Sequence, residues 1–355
     1  MTDRARIAAV DELLDGALRE KIFPAAAVEM GDSRAAIYQG AFGTLTFDPG
    51  APATTDDTVF DLASLTKPVV TTTLAMEHER RRTLALGEPL SRAFAEWRGG
   101  GREVVTVRDV LEHASGLPAR LTNRPPDTRR EFVHEICRTD LEYTPRQRSI
   151  YSDLGFILLG VLIEDRAGAT LAAGFRDLWQ GEPGDILDFD VPSDMRRRTA
   201  PTIPLSDDWR KGRTLVGEVH DSYAALLSGA AGHSGLFGTA RALGRFARTM
   251  LRGARGDQSQ TGPFAPAIVA RMVSKSTVPG SSRALGWDTM LPTSSCGAFL
   301  SPAAFGHVGF TGTSLWIDPV LDRYFILLTN RVCGGGTLEQ IRAVRRRFHD
   351  VLAAA

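Results

Sequence analysis

The chain has 355 residues, with 42 basic and 42 acidic side chains, so its formal net charge is zero. This balance argues against a nucleic-acid or membrane-surface partner, because both depend on clustered basic charge. Apolar residues make up 43% of the sequence, yet no apolar stretch is long enough to cross a bilayer. Three scattered cysteines without a C-x-x-C pair, and no signal-peptide pattern, predict a reduced, cytoplasmic protein.

The beginning of the chain is predicted to form a helix followed by a hairpin. Apolar residues at helical spacing predict a helix over residues 3–21. Two short apolar runs, 25–30 and 35–42, flank the turn residues 31–33 and predict two antiparallel strands. Residues 43–58 are rich in Gly, Pro, Thr and Asp, which predicts a loop.

The middle of the chain, from about 59 to 240, has a mostly helical pattern with long loops. Residues 153–166 have the apolar content of a buried helix, and Gly168 supplies a stop signal. Residues 181–219 are rich in Pro, Gly and charge, which predicts a long surface excursion. A further helix is predicted over residues 239–252.

The end of the chain returns to strands. Residues 305–317 and 323–332 are rich in β-branched and aromatic residues, and Asp and Pro lie between them. They are predicted to form an antiparallel strand pair, followed by a closing helix over residues 337–354.

Strands at both ends of the chain predict one shared sheet. The fold class is therefore predicted to be α/β (α+β), with an antiparallel sheet flanked by terminal helices. Residues 1–58 and 240–355 are expected to form this part, and residues 59–239 a mainly helical lobe. The functional site is expected in the cleft between the two.

A serine and a lysine three residues apart, Ser64 and Lys67, are the most prominent chemical feature. This spacing places both side chains on one face of a helix. A serine hydroxyl needs a base to become a nucleophile, and a desolvated lysine can serve. The helix start would add backbone N–H groups for a developing oxyanion, and Pro68 fits a first turn. The motif is weak by itself, because both residue types are common.

A tyrosine before the helix over 153–166 could belong to the same site. Tyr151 is followed by Ser152 and Asp153, and either of these could simply cap the helix. The phenol could also lie beside Ser64 and Lys67 as a proton shuttle, with its pKa lowered by the ammonium group.

A third segment, residues 307–313, reads His-Val-Gly-Phe-Thr-Gly-Thr and is placed on the first C-terminal strand. Two glycines on a strand indicate close approach by another backbone or by a ligand. Backbone N–H groups there could complete an oxyanion hole or pair with an extended substrate. A glycine-thinned strand packed under a helix is the alternative.

In this order, the three motifs resemble those of the serine β-lactamase and penicillin-binding superfamily. The resemblance is to the branch that holds class C β-lactamases, DD-peptidases and family VIII esterases. Residues 107–118 and 231–239 are also similar to that branch, and the resemblance spans about residues 5–350. It implies one β-lactamase-related unit that acts as a serine hydrolase on a small ester, amide or peptide, with no cofactor and no metal.

The resemblance also implies roles for individual residues. Ser64 would be the acylated nucleophile, Lys67 its base, and Tyr151 the group that moves the proton and activates the deacylating water. His307 stands where β-lactamases carry the lysine of a Lys-Thr-Gly triplet. The oxyanion hole would consist of the backbone N–H groups of Ser64 and Phe310.

Two departures from the β-lactamase pattern shape the predicted activity. Asp153 stands where the branch's β-lactamases usually carry Asn, and its carboxylate would favour the ammonium form of Lys67 and shift the base role toward Tyr151. His307 is mostly neutral at pH 7 and anchors a substrate carboxylate less well than lysine. The predicted substrate-binding and oxyanion set is Asp153, His307, Gly309 and Phe310.

These departures favour a carboxylesterase or a DD-carboxypeptidase-like enzyme. A class C-type β-lactamase is the alternative, and so is a non-hydrolytic penicillin-binding sensor on the same fold. The sequence leaves the acyl group, the leaving group and the oligomeric state open.

Two other segments allow more than one interpretation. Residues 217–221 resemble a subset of penicillin-binding-like hydrolases and could line the site, or His220 and Asp221 could form a loop ion pair. Ser234 lies in a Gly-His-Ser-Gly-Leu run similar to a nucleophile elbow, but Leu236 replaces the required glycine. A glycine-rich turn is predicted there. The histidines show no metal-binding spacing.

Overall fold

The computed structural model of the protein describes residues 3–123, 125–182 and 184–354. Its helices are α1 (Asp3–Arg19), α2 (Thr73–Arg80), α3 (Val107–Leu111), α4 (Arg129–Arg138), α5 (Asp153–Ala167), α6 (Leu171–Leu178), α7 (Ser222–Leu226), α8 (Ala240–Ala254), α9 (Pro266–Met272) and α10 (Leu338–Ala353). Its strands are β1 (Ala25–Gly31), β2 (Ala36–Gly43), β3 (Phe60–Asp61), β4 (Leu187–Asp188), β5 (Phe237–Gly238), β6 (Asp288–Thr289), β7 (Phe305–Val308), β8 (Ser314–Asp318) and β9 (Arg323–Thr329).

One six-stranded antiparallel sheet joins the two ends of the chain, in the order β2-β1-β9-β8-β7-β6. Strand β1 pairs with β2 on one side and with β9 on the other. The shared sheet and the α+β class predicted from the sequence are therefore confirmed. The domain boundaries near residues 58 and 240 stay a prediction.

Helices cover both faces of this sheet, and β1 shows the alternation that results. Ala26, Val28 and Met30 pack in a core with α1 and α10. Ala25 and Ala27 point the other way, into the larger core that includes residues of α2, α5 and α8. Because both faces are covered, every residue of β1 is buried.

The predicted helices over 3–21, 153–166, 239–252 and 337–354 correspond to α1, α5, α8 and α10. Their ends follow ordinary capping rules. The side chain of Ser152 accepts from Gly155 N at the start of α5, and Gly168 ends that helix in the left-handed region with φ of +63°. The helix-capping interpretation of Ser152 is thus confirmed.

The single strand predicted over residues 305–317 is wrong. Two strands, β7 and β8, occupy this range, and a tight turn over 309–313 joins them. Gly309 N donates to Thr313 O over 2.8 Å, and Gly312, with φ of +118°, donates to Gly309 O over 3.1 Å. β8 does pair antiparallel with β9, as predicted for the two C-terminal segments.

The surface excursion predicted over residues 181–219 is wrong in part. Strand β4 within it joins β3 and β5 in a second, three-stranded sheet. Arg210 is fully buried, and its guanidinium pairs with Asp208 at 2.8 Å. The guanidinium also donates to the carbonyls of Val219 and His220 over 2.6 and 2.7 Å, so it closes the loop between residues 208 and 220 around a buried charge.

The three cysteines, Cys137, Cys296 and Cys333, are buried free thiols, as expected for small apolar side chains. Across the described ranges, none of the helices has both the length and the apolar content needed to cross a membrane.

Candidate active site

Ser64 lies at the start of a continuous helical run. A 3-10 turn over Ala63–Leu65 leads into a π-helical stretch over Lys67–Thr72, which continues as α2. Ser64 is half-buried and Lys67 is fully buried. The Lys67 Nζ donates to Ser64 Oγ over 3.2 Å, so the two side chains share one helix face as the spacing predicts.

The residue just before Ser64 is held in a strained conformation. Ala63 has φ of +48°, a region that non-glycine residues rarely adopt. The buried Asp61 carboxylate accepts from Ala63 N at 2.8 Å and from His220 N at 2.7 Å. Burial raises the pKa of Asp61 to about 6. Thr311 Oγ1 also donates to Asp61 O over 2.8 Å, which ties the turn after β7 to this segment.

Lys67 Nζ has two further acceptors. It donates to Asp153 Oδ1 over 2.7 Å and to the carbonyl oxygen of His233 over 3.1 Å. Burial by itself would lower the pKa of Lys67, but Asp153 and Tyr151 outweigh burial and raise it. Lys67 is therefore an ammonium ion at rest, the direction that the sequence predicts for a carboxylate at position 153.

Tyr151 lies above this lysine, with 4.7 Å between the Lys67 Nζ and the centre of the ring. Its hydroxyl is in hydrogen-bond contact with Lys67 and Ser64. Burial raises the pKa of Tyr151 and the Lys67 charge offsets this only in part, so the lowered pKa expected from the sequence is wrong. The ring packs on His113 with 4.6 Å between centroids, a support that the sequence analysis did not single out.

His307 lies on β7, beside Tyr151, with ring centroids 5.9 Å apart. Its Nδ1 donates to Val308 O over 2.9 Å, and its buried Nε2 has no partner among the described residues. Burial, with the nearby charges of Arg283 and Lys67, lowers the pKa of His307 well below its usual value. The imidazole is therefore neutral and presents a lone pair rather than a charge.

Arg283 is a cation in this cleft that sequence reasoning missed. Its guanidinium lies 5.3 Å from the centre of the Tyr151 ring, and its side chain is about one-fifth exposed. A loose ion pair with Asp288, at 3.8 Å, leaves it able to bind a second anion. No motif surrounds Arg283, and only the fold brings the loop before β6 next to Tyr151.

Two arginines orient the turn after β7. Arg345 donates to Gly309 O over 2.6 Å, and Arg331 donates to Phe310 O over 2.7 Å. Because C=O and N–H point in opposite directions across a trans peptide, the Phe310 N–H points away from Arg345. Within the described parts of the chain, neither this N–H nor that of Ser64 has an acceptor. Both are available to an oxyanion.

Asp221 joins the site through partners other than His220. It accepts from His233 Nε2 at 2.8 Å and from Arg120 Nη1 at 2.8 Å, and Arg120 reaches Asp153 at 3.4 Å. The alternative of a His220–Asp221 loop ion pair is therefore wrong.

His220 instead lies beside the turn over residues 309–313, which contains Phe310. Its Nε2 donates to Ile203 O over 3.1 Å, and its ring stacks on Phe310 with centroids 5.7 Å apart. The interpretation that residues 217–221 could line the site agrees with this placement.

Ser234 lies in the predicted turn. A bridge between Ala231 and Ser234 closes the turn, and Gly235 follows with φ of +122°. α7 precedes the turn and β5 follows it, so the strand–turn–helix of a nucleophile elbow does not occur here.

Asp153, Asp221 and His233 bring metal-ligand atoms within 4.8 Å of one another, a grouping that no local spacing reveals. The guanidinium of Arg120 donates to both carboxylates. An arginine thus supplies the positive charge at this position.

A half-exposed serine, a buried lysine and a tyrosine, beside two available N–H groups, define a serine acyl-transfer site in an α+β fold. The Beta-lactamase family model matches residues 10–347. The chain therefore belongs to the β-lactamase family, and it is a serine hydrolase of that superfamily.

Curated relatives carry the name "Putative D-alanyl-D-alanine carboxypeptidase". The one from Escherichia coli (strain K12) is 28% identical over 327 residues, covering 81% of this chain and 72% of the relative. The one from Escherichia coli O157:H7 is 29% identical over 263 residues, covering 65% of this chain and 58% of the relative. The chain thus matches little more than half the length of the second.

Solved structures with the same fold come from several activity classes. A class C β-lactamase aligns with a TM-score of 0.77 at 17% identity, covering 99% of this chain and 97% of the other. EstCE1, a hydrolase with promiscuous acyltransferase activity, gives 0.75 at 19% identity, covering 99% of each. A penicillin-binding protein homologue from Caulobacter crescentus gives 0.74 at 19% identity, covering 98% and 96%. At these identities the likeness shows the fold alone.

Proposed function

We propose that Ser64 is the nucleophile of this hydrolase and that its preferred substrate is a peptide of the D-alanyl-D-alanine type with a free carboxylate. The Ser64 Oγ attacks the scissile carbonyl, whose oxygen is bound by the N–H groups of Ser64 and Phe310. Lys67 and Tyr151 handle the proton of the serine and return it to the leaving amine. Water then releases the acyl group from Ser64, and Tyr151 orients that water.

The position of Arg283 is the main support for a substrate that bears a carboxylate. It places a fixed positive charge beside Tyr151, and His307 is neutral and supplies none. A substrate carboxylate can form a charge-assisted, two-pronged pair with a guanidinium, which a neutral imidazole cannot offer. The names of the curated relatives support the same substrate class.

A carboxylesterase is the second candidate. An apolar surface beside the turn over residues 309–313 favours it. Phe310 is 39% exposed and Ile203 is 40% exposed, and His220 contacts both residues. Such a surface suits the acyl chain of a simple ester.

The test compares purified protein with Ser64→Ala on a D-alanyl-D-alanine peptide, the same peptide with an amidated C-terminus, p-nitrophenyl esters and nitrocefin. Intact mass spectra follow the acyl adduct. The proposal expects cleavage of the free-acid peptide, loss of cleavage in Ser64→Ala, and weak cleavage of the amide. Turnover that survives in Ser64→Ala would refute the role of Ser64.

Arg283→Gln separates the two candidates. For the free-acid peptide, KM should rise about tenfold or more, because a charge-assisted pair is lost. The p-nitrophenyl esters should be cleaved as before. Arg129→Gln is the matched control, since Arg129 pairs with Asp165 at 2.7 Å elsewhere on the molecule.

Other outcomes identify the alternatives. Ester cleavage without peptide cleavage would make the protein a carboxylesterase, and fast nitrocefin turnover a β-lactamase. A stable acyl adduct without turnover would indicate a penicillin-binding sensor. The cytoplasmic location stays a prediction, which cell fractionation checks.

A further inference from the structure

Lys67 has no free lone pair with which to take the proton of Ser64. Its Nζ contacts three acceptors, at 3.2 Å for Ser64 Oγ, 2.7 Å for Asp153 Oδ1 and 3.1 Å for His233 O. The Tyr151 hydroxyl is also in hydrogen-bond contact with Lys67, so all three N–H donors of the ammonium ion are engaged. Lys67 can accept a proton from Ser64 only if it releases another, and the shortest contact leads to Asp153.

We propose that Asp153 is the terminal proton acceptor of acylation, with Lys67 as the relay. One N–H bond of Lys67 breaks first, and an O–H bond forms at Asp153 Oδ1. The resulting amine rotates about its Cε–Nζ bond, so that its lone pair faces Ser64. As Ser64 Oγ bonds to the substrate carbon, its O–H bond breaks and a new N–H bond forms at Lys67. Lys67 ends as the ammonium ion it was at the start, and Asp153 ends as a neutral acid.

This relay rests on the proposed role of Ser64 and resolves a difficulty in it. Burial raises the pKa of Tyr151, and Asp153 with Tyr151 raises that of Lys67, so neither is a free base at rest. The relay needs no neutral lysine in the resting enzyme and no phenolate. It also returns Lys67 to the ammonium form beside Ser64 as the serine proton is taken up. The reverse transfer supplies a proton to the leaving group.

A closed ring of contacts fixes which carboxylate oxygen of Asp153 faces Lys67. Lys67 contacts Asp153, and Asp153 Oδ2 contacts Arg120. Arg120 contacts Asp221, Asp221 accepts from His233, and the His233 carbonyl accepts from Lys67. Because Arg120 binds Oδ2, the other oxygen of Asp153 is turned toward Lys67. Arg120 is therefore a positioning residue for Asp153.

The guanidinium of Arg120 is itself held in place. It stacks over the ring of Tyr223 at 3.8 Å and is 39% exposed. A stacked arginine loses less freedom when it pairs, which makes it a firm support. The charged and titratable groups that face the relay from all surrounding elements are Arg120, Asp221, His233, Tyr151, His113, His307 and Arg283.

The experiment measures the rate of acylation by p-nitrophenyl acetate, as the burst of p-nitrophenolate, from about pH 5 to about pH 10. The wild type should lose rate on the acidic side, because the relay needs an acceptor that is free to take a proton. In Asp153→Asn the amide cannot accept a proton, so Lys67 must itself be neutral to act as base. The acidic limb of the pH–rate profile, where the acylation rate falls as the pH is lowered, should therefore move to higher pH by about one unit or more. The rate near neutral pH should fall about 100-fold.

Arg120 provides the second variant. Arg120→Gln removes the cation that contacts Asp153 Oδ2 at 3.4 Å, so the fall in rate on the acidic side should move to higher pH by a smaller amount than in Asp153→Asn. Arg120→Lys should restore part of the original position. The matched control Arg129→Gln should leave the limb in place, because Arg129 pairs with Asp165 outside the ring.

A uniform rate loss in Asp153→Asn, with the acidic limb unmoved, would show a structural role and overturn the proposal. If Asp153→Asn does not fold, the pH–rate profile of Arg120→Gln is the test. An acidic limb that stays at its wild-type position in Arg120→Gln would refute the relay. A simple ester reports acylation of Ser64 whether or not a peptide is cleaved. Failure of the peptidase proposal and failure of the relay are therefore separate results.

Discussion

Gly309 lies where the turn after β7 meets the segment that carries Ser64, and the fit leaves no room for a side chain. A Cβ at this position would overlap Thr313 Oγ1 within the turn, and it would be 2.6 Å from Leu62 O and 3.2 Å from Ala63 Cβ. Ordinary contact begins near 3.4 Å, so Gly309→Ala must push turn and segment apart by about 0.8 Å. Gly309 lies outside the left-handed region, which makes the effect purely steric.

The displacement from Gly309→Ala acts directly on the oxyanion hole. It separates the N–H of Phe310 from that of Ser64, and a misplacement of about 1 Å can lower a rate about 100-fold. That factor corresponds to about 2.7 kcal/mol of transition-state stabilisation. Overpacking of this kind should also lower the free energy of unfolding by about 1–3 kcal/mol.

The assay for Gly309→Ala compares kcat/KM on a p-nitrophenyl ester with the free energy of unfolding from urea titration. Gly87→Ala is the matched control, because a Cβ added at Gly87 meets no atom within 4 Å. We expect a loss of about 100-fold in Gly309→Ala and little change in Gly87→Ala. A stably folded Gly309→Ala with nearly unchanged kcat/KM would refute this geometry of the oxyanion hole.

Two further predictions concern buried charges. Arg210→Met should cost about 3–5 kcal/mol of unfolding free energy, because it leaves Asp208 buried without its partner. The 53% exposed Arg213 should cost less than about 1 kcal/mol when changed to Met, and urea titrations that rank these variants the other way would contradict the reasoning. Burial raises the pKa of Asp61 from 3.8 to about 6, so the native state binds this proton more tightly than the unfolded chain. Asp61 therefore contributes stability at low pH that is lost as pH rises through about 6, on the order of 3 kcal/mol, and Asp61→Asn should flatten this decline. An equal decline in both proteins would assign it to other groups.

Local spacing was enough to predict the part of the site that lies on one helix. Ser64 and Lys67 are three residues apart, so any helix there brings them into contact. The relay partners Arg120, Asp221 and His233 come from separate loops, and no periodicity links loops that are distant in sequence. Only the packed fold brings them together, which is why the sequence allows a loop ion pair at Asp221 and carries no signal for Arg120.

The incorrect strand over residues 305–317 has a different cause. The residues of β7 and β8 are equally apolar and β-branched, so composition does not separate them. In the sequence, Gly309 and Gly312 both indicate close backbone approach on one strand. Gly309 does lie close to another backbone, but Gly312 adopts the left-handed conformation that closes a turn. The two glycines therefore have different roles: Gly309 allows a close backbone contact, and Gly312 closes a turn.

The chain has a formal net charge of zero, but positive charge is in excess at the turn over residues 309–313. Arg345 is buried and donates to the carbonyls of Gly309 and Thr313, and burial with its neighbour Arg331 lowers the pKa of Arg345 to about 9. Among the described ion pairs, neither arginine has a carboxylate partner. Their charges therefore remain uncompensated beside the Phe310 N–H, where the substrate oxygen becomes negative. Asp153 neutralises Lys67 on the proton-accepting side of Ser64, so positive potential is concentrated on the oxyanion side.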